Sequence, residues 1–263
     1  MQIDKNKLYD CSPNLQATGF TQLMLCVLNN DLDNALHYLL EINVQNSEGW
    51  TALHIACRNS KTFSSEEMVD LLLRNGADPN ACANTGLTPL HLSSEYSNED
   101  SSLKTVEILI RNGAYPNVKD RNGWTPLNMT SMSLNSVNSL EVVDLLLRNG
   151  ADPNASDIDG FTPLHWAIKY SNSSSSLETI KVLLKHGADP NARTSSDWTP
   201  LSIELYFSNK TEYSETVELL LRHGATPINA ATQILKLEID IENLVEENEK
   251  LKRRIETLES ETD

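Results

Sequence analysis

The side chains in this sequence best suited to catalysis or metal binding are its six histidines and four cysteines. Three histidines end the same short pattern, Thr-Pro-Leu-His or Thr-Ala-Leu-His. The cysteines form no Cys-x-x-Cys pair and have no histidine at zinc-ligand spacing. We therefore predict free thiols and histidines with structural roles. The residues concerned are His54, His91 and His165, and Cys11, Cys26, Cys57 and Cys82.

A second pattern with chemical potential is Asp-x-Asn, whose oxygens are the type of ligand that calcium prefers. The proline inside each pattern and the long spacing between copies favour turns over a metal site. No Gly-x-Ser-x-Gly, glycine-rich phosphate loop or His-Glu-x-x-His occurs. We therefore expect no enzyme activity, no metal and no cofactor. The pairs are Asp78/Asn80, Asp152/Asn154 and Asp189/Asn191.

Charge and hydropathy narrow the class of partner. The 263 residues carry a net charge of −16, and the longest basic tract is Lys252-Arg253-Arg254. Nucleic acids and anionic membranes both bind through clustered positive charge, so neither is an expected partner. No apolar run approaches the roughly 20 residues of a membrane span, and Met1–Asn14 lacks the apolar core of a secretory signal. We expect a cytoplasmic protein.

The positions of these side chains are set by an internal repeat. Five segments begin at 37-residue intervals, and each opens with an aromatic residue or leucine followed by Thr-Pro-Leu or a near match. An apolar run follows, such as Val69–Asn80, which ends in Gly-Ala-Asp-Pro-Asn. A more divergent copy without that ending starts at Gly19, as expected for a terminal cap. The regular segments start at Gly49, Gly86, Gly123, Gly160 and Asp197.

The residue types at these positions predict a helix–turn–helix–hairpin unit. Threonine followed by proline is typical of a helix start, because the hydroxyl caps a free N–H and proline lacks one. The Val/Leu/Leu/Leu run has the spacing of a second helix with one apolar face. Glycine after a basic residue ends that helix, and Asp-Pro-Asn turns the chain into the next hairpin.

This pattern strongly resembles the ankyrin repeat, from about Gly19 to Ala225. The resemblance implies an all-α solenoid built of six repeats, near residues 19–48, 49–85, 86–122, 123–159, 160–196 and 197–225. It leaves an N-terminal segment, 1–18, and a C-terminal helix, 226–263.

One departure from the family is length, since the usual period is about 33 residues. The extra residues lie in Ser/Asn-rich segments that we expect to be inter-helix loops, and tolerated insertion or a binding role would each explain them. Such long variants look like ankyrin proteins of giant DNA viruses and some intracellular bacteria, which suggests a host cytoplasm or nucleus as the setting. The loops are Ser60–Ser65, Ser97–Ser102, Leu134–Ser139, Ser171–Ser176 and Ser208–Tyr213.

The chain after Ala225 predicts a coiled coil over about 234–261. Residues 226–231 read either as the first helix of a seventh repeat or as a modified turn. Apolar residues then recur at steps of three and four, with Asn248 at one a position, which favours a parallel homodimer. The alternatives are a heterodimer, a helix packed back on the repeats and a solvated tail. The predicted contact residues are Ile234, Leu237, Ile241, Leu244, Asn248, Leu251, Ile255 and Leu258.

The resemblance also implies where a partner protein binds, namely the hairpin tips and the first helices on the concave face. We place the tips at Phe20, Trp50, Leu87, Trp124, Phe161 and Trp198, although their rings could equally pack on neighbouring hairpins. The exposed ends of the first helices add Arg58, Glu95, Tyr96, Met132, Lys169, Tyr170, Tyr206 and Phe207.

The resulting expectation is a non-enzymatic adaptor or scaffold that binds a protein or peptide and dimerises through its coil. The alternative is a regulatory subunit that recruits substrates to a larger complex, such as a ubiquitin ligase or a transcription complex.

Overall fold

The structure is a computed structural model, and it describes residues 19–59, 65–95, 103–132, 137–170, 174–207 and 214–262. Every regular element within these ranges is helical, which confirms the predicted all-α class. The first helices of successive repeats are α1 (Gln22–Leu28), α3 (Ala52–Arg58), α5 (Pro89–Glu95), α7 (Pro126–Met132), α9 (Pro163–Lys169) and α11 (Pro200–Phe207). The second helices are α2 (Leu32–Ala35, continued by a 3-10 helix, Leu36–Glu41), α4 (Glu66–Arg74), α6 (Leu103–Arg111), α8 (Val137–Arg148), α10 (Ser174–Lys185) and α12 (Glu215–Arg222), and α13 (Ala230–Thr262) follows.

The helices stack in two layers. Each first helix packs on the first helices before and after it, and from α4 to α12 each second helix packs on its counterparts in the same way. The core between the layers repeats with the sequence, so that one fully buried leucine per repeat forms a continuous row. Each repeat buries its apolar face only against its neighbours, which is why one copy cannot fold alone. The row consists of Leu23, Leu53, Leu90, Leu127, Leu164 and Leu201.

Capping residues set the helix ends. Thr51 lies in an extended conformation immediately before α3, and Ser65 accepts a hydrogen bond from the Met68 backbone N–H at 3.3 Å at the start of α4. After α4, Gly76 adopts a φ of +91°, in the left-handed region that glycine enters at little cost. The predicted glycine therefore ends the second helix as the sequence pattern indicated, whereas Ser65 was assigned to a loop and its capping role was not predicted.

Two of the predicted inter-helix loops are shorter than expected. Helix α8 begins at Val137 and α10 begins at Ser174, so each starts inside the segment assigned to a loop. Both helices are 12 residues long, whereas α4 and α6 have nine. Serine is an acceptable residue in the first turn of a helix, so its abundance did not by itself mark a loop.

Asparagine side chains join each repeat to the next. Asn80 donates from its amide nitrogen to the Gly113 carbonyl at 2.9 Å, and its amide oxygen accepts the Tyr115 backbone N–H at 2.8 Å. The divergent first repeat has the same clamp, because Asn43 makes both bonds to the following turn. The Asp-x-Asn pattern therefore provides inter-repeat hydrogen bonds. The clamping residues are Asn43, Asn80, Asn117, Asn154 and Asn191.

The same clamp decides between the two interpretations of residues 226–231. The Thr226 backbone N–H donates to the Asn191 side-chain oxygen at 2.8 Å, as the third residue of each Gly-Ala-x-Pro turn does. Asn229 then accepts the Thr232 backbone N–H at 2.9 Å at the start of α13. The segment is thus a modified turn that leads directly into α13, and no first helix of a seventh repeat forms there.

Candidate interaction surface

A five-residue hairpin spans the start of each repeat from the second onward, and the predicted tip residues lie at its base. In the hairpin 83–87 the Ala83 N–H donates to the Leu87 carbonyl at 2.9 Å, so the apex is formed by the three residues between them. The same closure occurs in the other hairpins, where Trp50, Trp124, Phe161 and Trp198 supply the carbonyl. The prediction that these residues are hairpin tips is wrong. Their side chains are half-buried, as is that of Phe20.

The true apices lie side by side and bond to one another. The Arg121 N–H donates to the Thr85 carbonyl at 2.9 Å, and equivalent bonds join the neighbouring hairpins. A glycine at the third apex position has φ between +77° and +85°, and a Cβ on Gly123 would stand 2.9 Å from the Ile158 nitrogen. In the last repeat Asp197 holds that position with φ +66°, where no further hairpin follows.

The repeated histidines clamp one repeat to the next, as the family resemblance implied. In His54 the Nδ1 atom accepts the Thr51 N–H at 3.1 Å, so the Nε2–H is free to donate to the Leu87 carbonyl, also at 3.1 Å. His91 and His165 make the equivalent pair of bonds. Burial lowers the pKa of His54 and His165 to about 4 and also lowers the pKa of His91.

The fourth repeat achieves the same clamp without a titratable group. Asn128 stands where the other repeats have histidine, and its side-chain oxygen accepts the Thr125 N–H at 3.1 Å. Its amide nitrogen donates to the carbonyls of Ala155 at 3.2 Å and Phe161 at 3.4 Å. These side chains are therefore structural, and their hydrogen bonds leave no free imidazole nitrogen for catalysis.

The hairpin bases and the last turns of the first helices share one side of the first-helix layer, and we call this the inner surface. At its helix ends, one residue per repeat recurs at 37-residue intervals: Arg58, Glu95, Met132, Lys169 and Tyr206. The prediction that these side chains are exposed holds for Tyr206, whereas the other four are half-buried. The inner surface therefore combines aromatic, apolar and charged groups.

At the N-terminal end of the inner surface, the Arg58 guanidinium carbon lies 5.7 Å from the ring centroid of Trp50. Glu95 occupies the next repeat at the same helix position. Burial raises the pKa of Glu95, an effect that Arg58 offsets in part and Asp120 reinforces. At this end, therefore, the opposite charges of Arg58 and Glu95 offset each other beside the indole ring of Trp50.

The centre of the inner surface is an aromatic cluster around Trp166, which sequence reasoning did not single out. The Trp166 ring lies 4.8 Å from Trp124 and 4.7 Å from Phe161 between centroids, and 6.0 Å from Tyr170. The contacts cross the boundary between the fourth and fifth repeats. Trp124 and Phe161 thus pack on Trp166, a side chain of the first helix α9.

A buried carboxylate holds the cluster in place. The Asp157 side chain accepts the indole N–H of Trp166 at 3.1 Å with one oxygen, and the other accepts the backbone N–H groups of Asp159 and Phe161. Burial raises the pKa of Asp157, although these three hydrogen bonds act in the opposite direction. Trp166 is only 9% exposed, so its ring is fixed by packing and by this bond.

The C-terminal end of the inner surface exposes further aromatic rings. Tyr206 contacts Trp198 at 5.1 Å and Phe207 at 5.0 Å between centroids, both edge-to-face. The side chains of Tyr206 and Phe207 are 67% and 54% exposed. Large apolar side chains at this exposure are the type of residue that anchors protein interfaces.

The long helix α13 is attached to the repeats by one face only. Leu235 and Ile239 pack on the core, the Lys236 ammonium donates to the Leu221 carbonyl at 3.1 Å, and Arg222 pairs with Glu242 at 2.8 Å. The predicted coiled-coil stripe lies on the opposite face, where each of its apolar side chains that the structure describes is more than half exposed. Those side chains are Ile234, Leu237, Ile241, Leu244 and Leu251.

The family model for ankyrin repeats matches this chain in overlapping segments at residues 6–83, 23–120, 61–157, 97–194 and 131–231. Together these segments reach from residue 6 to residue 231. The chain belongs to the ankyrin-repeat family. Its two helix layers and stacked hairpins are therefore an ankyrin solenoid, and ankyrin repeats are protein–protein interaction modules.

Similar ankyrin proteins occur in Acanthamoeba polyphaga mimivirus. One ankyrin repeat protein of that virus is 39% identical over 89 residues, which are 28% of this chain and 14% of the relative. A second is 35% identical over 85 residues, 29% of this chain and 15% of the relative. A third is 58% identical over 40 residues, 15% of this chain and 7% of the relative. The expected likeness to giant-virus ankyrin proteins is confirmed, although the matches span only a small part of each relative.

The remaining features do not add a second site. Among the described residues, no group of three or more histidine, cysteine or acidic side chains is placed to hold a metal ion, and no helix is long and apolar enough to cross a membrane. An open groove of about 370 Å³ lies on the second-helix layer of this ankyrin solenoid, where Leu32, Leu36, Leu71 and Arg74 contribute to its walls. This groove lies on the second helices, whereas the inner surface lies on the first helices.

Some predicted contact residues cannot be placed. Tyr96 lies outside the described residues, and the side chains of Ile255 and Leu258 are not described. Among the described ones, the structure brings Trp124, Phe161 and Tyr170 together through Trp166, whereas Phe20, Trp50 and Leu87 do not join that cluster. A sequence signal for Trp166 did exist, because the other ankyrin repeats have isoleucine, leucine or methionine at its position.

Proposed function

We propose that this ankyrin protein is a non-enzymatic adaptor that binds a partner protein, or an extended peptide of it, on the inner surface. The observation that carries the proposal is the run of aromatic rings across the last three repeats, from the Trp166 cluster to the exposed Tyr206 and Phe207. Aromatic side chains lose little conformational entropy on binding and supply large contact areas. Their concentration on one surface distinguishes it from the rest of the solenoid.

The distribution of charge indicates that the net negative charge of the protein does not determine which partner binds the inner surface. The described first helices from α3 to α11 contain two acidic residues, Glu95 and Glu204, and Glu204 is buried. The acidic residues are concentrated in the second helices and in α13, where several, among them Asp70, Asp144 and Glu218, pair with a basic residue one turn away. The negative charge that gives the net value of −16 therefore lies mainly on the second-helix layer and on the long helix, and less on the inner surface.

Replacement of the exposed inner-surface rings tests the adaptor function. The triple variant Tyr170→Ala, Tyr206→Ala and Phe207→Ala is expected to weaken binding of a captured partner about 30-fold or more, because a hot-spot side chain contributes about 2 kcal/mol. The measurement is affinity capture from the native cell with mass spectrometry, followed by titration of each recovered protein. The folded state is checked by circular dichroism.

The matched control replaces exposed apolar residues away from the inner surface, Tyr115→Ala and Val44→Ala. A partner that is lost from the triple variant and kept by this control supports the proposal. A full set of partners that bind both variants equally contradicts it, because recognition would then lie on another face or on α13.

We also propose that two copies pair in parallel through the exposed stripe of α13. The solenoid occupies the face with Leu235 and Ile239, so the stripe is free to meet a second helix. Isoleucine at a, leucine at d and Asn248 at one a position are typical of a parallel two-stranded coil. Pairing would place two inner surfaces on one stalk.

For this proposal we expect the full chain, at micromolar concentration, to scatter light with about twice the 29.3 kDa mass of one copy. Leu244→Asp should reduce the mass to that of a monomer, because a paired carboxylate would be buried against its symmetry mate. Asn243→Asp adds the same charge one residue away, outside the stripe, and should leave the dimer intact. A wild-type chain that scatters as a monomer refutes the pairing.

A further inference from the structure

The ammonium group of Lys169 lies over three aromatic rings of the Trp166 cluster. Its ammonium nitrogen lies 4.9 Å from the centroid of Trp166, 5.1 Å from that of Phe161 and 5.9 Å from that of Tyr170. Ring faces attract a cation at these distances, so the ammonium is held above the aromatic cluster. The cluster therefore presents apolar surface and one localised positive charge at the same point.

Within the described part of the chain, Lys169 has no carboxylate partner. Most other cations in the same ranges form ion pairs; Arg148 pairs with Asp144 at 2.9 Å, and Arg222 pairs with both Glu218 and Glu242 at 2.8 Å. The nearest acidic side chain in the cluster, Asp157, directs both of its oxygens to other donors. The positive charge of Lys169 is thus left unmatched within the site.

The surface next to Lys169 is apolar and open. In the following repeat Tyr206 occupies the position equivalent to Lys169 and Phe207 the position equivalent to Tyr170. Because α9 and α11 pack directly on each other, equivalent positions are separated by about 8–10 Å. A short peptide segment can therefore reach the cation and the exposed rings at the same time.

We propose that the cluster formed by Trp166, Phe161, Tyr170 and Lys169 binds a partner segment in which an aromatic or long aliphatic side chain stands next to a carboxylate. This inference rests on the proposed adaptor function and specifies the chemistry of its ligand. The apolar side chain packs on Tyr170, Tyr206 and Phe207, and the carboxylate pairs with the Lys169 ammonium. Asp157 supports the site by fixing the Trp166 ring on which the ammonium rests.

Other ligand chemistries fit less well. A cationic side chain would have to take the position over the rings that Lys169 already occupies, and the two like charges would repel. A wholly apolar segment would cover the ammonium without supplying a partner, and a buried unpaired charge is costly. A carboxylate beside an apolar anchor satisfies both features of the cluster.

The test uses the full chain and a random heptapeptide display library as the probe. Against the wild-type protein we expect enrichment of peptides with aspartate or glutamate within two residues of Phe, Trp, Tyr, Leu or Met. The Lys169→Glu variant should bind these peptides roughly tenfold or more weakly, measured by fluorescence anisotropy, and should select lysine- or arginine-containing peptides in their place. The variant is expected to fold, because Glu95 occurs naturally at the same position of the third repeat.

Lys185→Glu is the matched control, since it makes the same charge change at an exposed position on the second-helix layer. It should leave the affinity of the enriched peptides unchanged. Equal binding by wild-type protein and Lys169→Glu overturns the inference, and so does a wild-type consensus without an acidic residue.

The inner-surface triple variant separates this inference from the adaptor function itself. If peptides without a carboxylate are enriched and lose binding in the triple variant, the adaptor function stands and the assignment of ligand chemistry fails. If no peptide is enriched, the assignment of ligand chemistry fails, and the adaptor function is decided by the affinity capture described above. If enriched peptides bind the triple variant as well as the wild type, both proposals fail.

Discussion

Replacement of His54 and His165 by asparagine should make the stability of this ankyrin solenoid much less sensitive to acid. Each imidazole is buried and uses Nδ1 as an acceptor for a backbone N–H, so a proton on Nδ1 would set two donors against each other. Burial accordingly holds both pKa values at about 4, whereas an unfolded histidine titrates near 6.5. Between these values the unfolded chain binds the additional protons.

The sign of the effect follows from that difference. The contribution of these two histidines to the free energy of unfolding is greatest above pH 6.5 and decreases as the pH falls toward 4, because protons stabilise the unfolded state. The loss is about 3 kcal/mol for each of the two histidines at pH 4. Asn128 shows that an asparagine can make the clamp with no proton to gain.

The measurement is urea denaturation of the wild type and the double variant between pH 7.5 and pH 4, at one protein concentration. We expect the stability difference between the two proteins to shift by about 6 kcal/mol in favour of the variant over this range. Carboxylates also titrate, but they are common to both proteins and cancel in the difference. The control is His223→Asn, at an exposed position after α12. Parallel pH profiles for wild type and double variant would contradict the prediction.

Gly123→Ala should destabilise the solenoid more than Gly150→Ala does. Both glycines have a left-handed φ, +77° and +86°, which costs a non-glycine residue about 1–2 kcal/mol. A Cβ on Gly150 meets nothing within 4 Å, whereas on Gly123 it would approach backbone atoms of Ile158 and Asp157 at 2.9–3.1 Å. Backbone cannot rotate away from such a contact as a side chain does, so the hairpin stack must open.

We therefore expect Gly123→Ala to cost about 1–3 kcal/mol more than Gly150→Ala, the usual cost of overpacking. Urea midpoints at a fixed protein concentration report the difference. Asp197, which has a left-handed φ and no hairpin after it, shows that a side chain is accommodated at this position where no neighbouring hairpin lies beside it. Equal losses for Gly123→Ala and Gly150→Ala would show that backbone strain alone, without the inter-hairpin contact, requires glycine.

The helical part of the fold was predictable because it repeats. Threonine and proline at each first-helix start, and glycine after each second helix, are local signals whose meaning does not depend on distant contacts. The position of the hairpin bases was not predictable in this way. Whether Trp50 or the residues before it form the apex depends on which carbonyl accepts the closing N–H, and the repeat pattern alone does not show that carbonyl.

The candidate site depended still more on three-dimensional contacts. Trp166 is unusual in type at its repeat position, but its place at the centre of the cluster could not be predicted, because its contacts join residues of two repeats and a buried aspartate. The exposed stripe of α13 was predicted by its spacing. Packing of the helix on the repeats was considered as an alternative, but the residues of the docked face were not identified, although Leu235 and Ile239 are apolar and lie off that stripe.

The continuity of α13 has a mechanical consequence. The helix has no break between Leu235, which is packed on the repeats, and its end at Thr262, so its 33 residues form a rod of roughly 50 Å. A tilt of the last repeat by about 5° would displace the far end of that rod by about 4 Å. A partner that binds beside Trp198 and Tyr206 and tilts the last repeat would therefore move the distant end of the long helix. The helix acts as a lever arm that amplifies a small rotation.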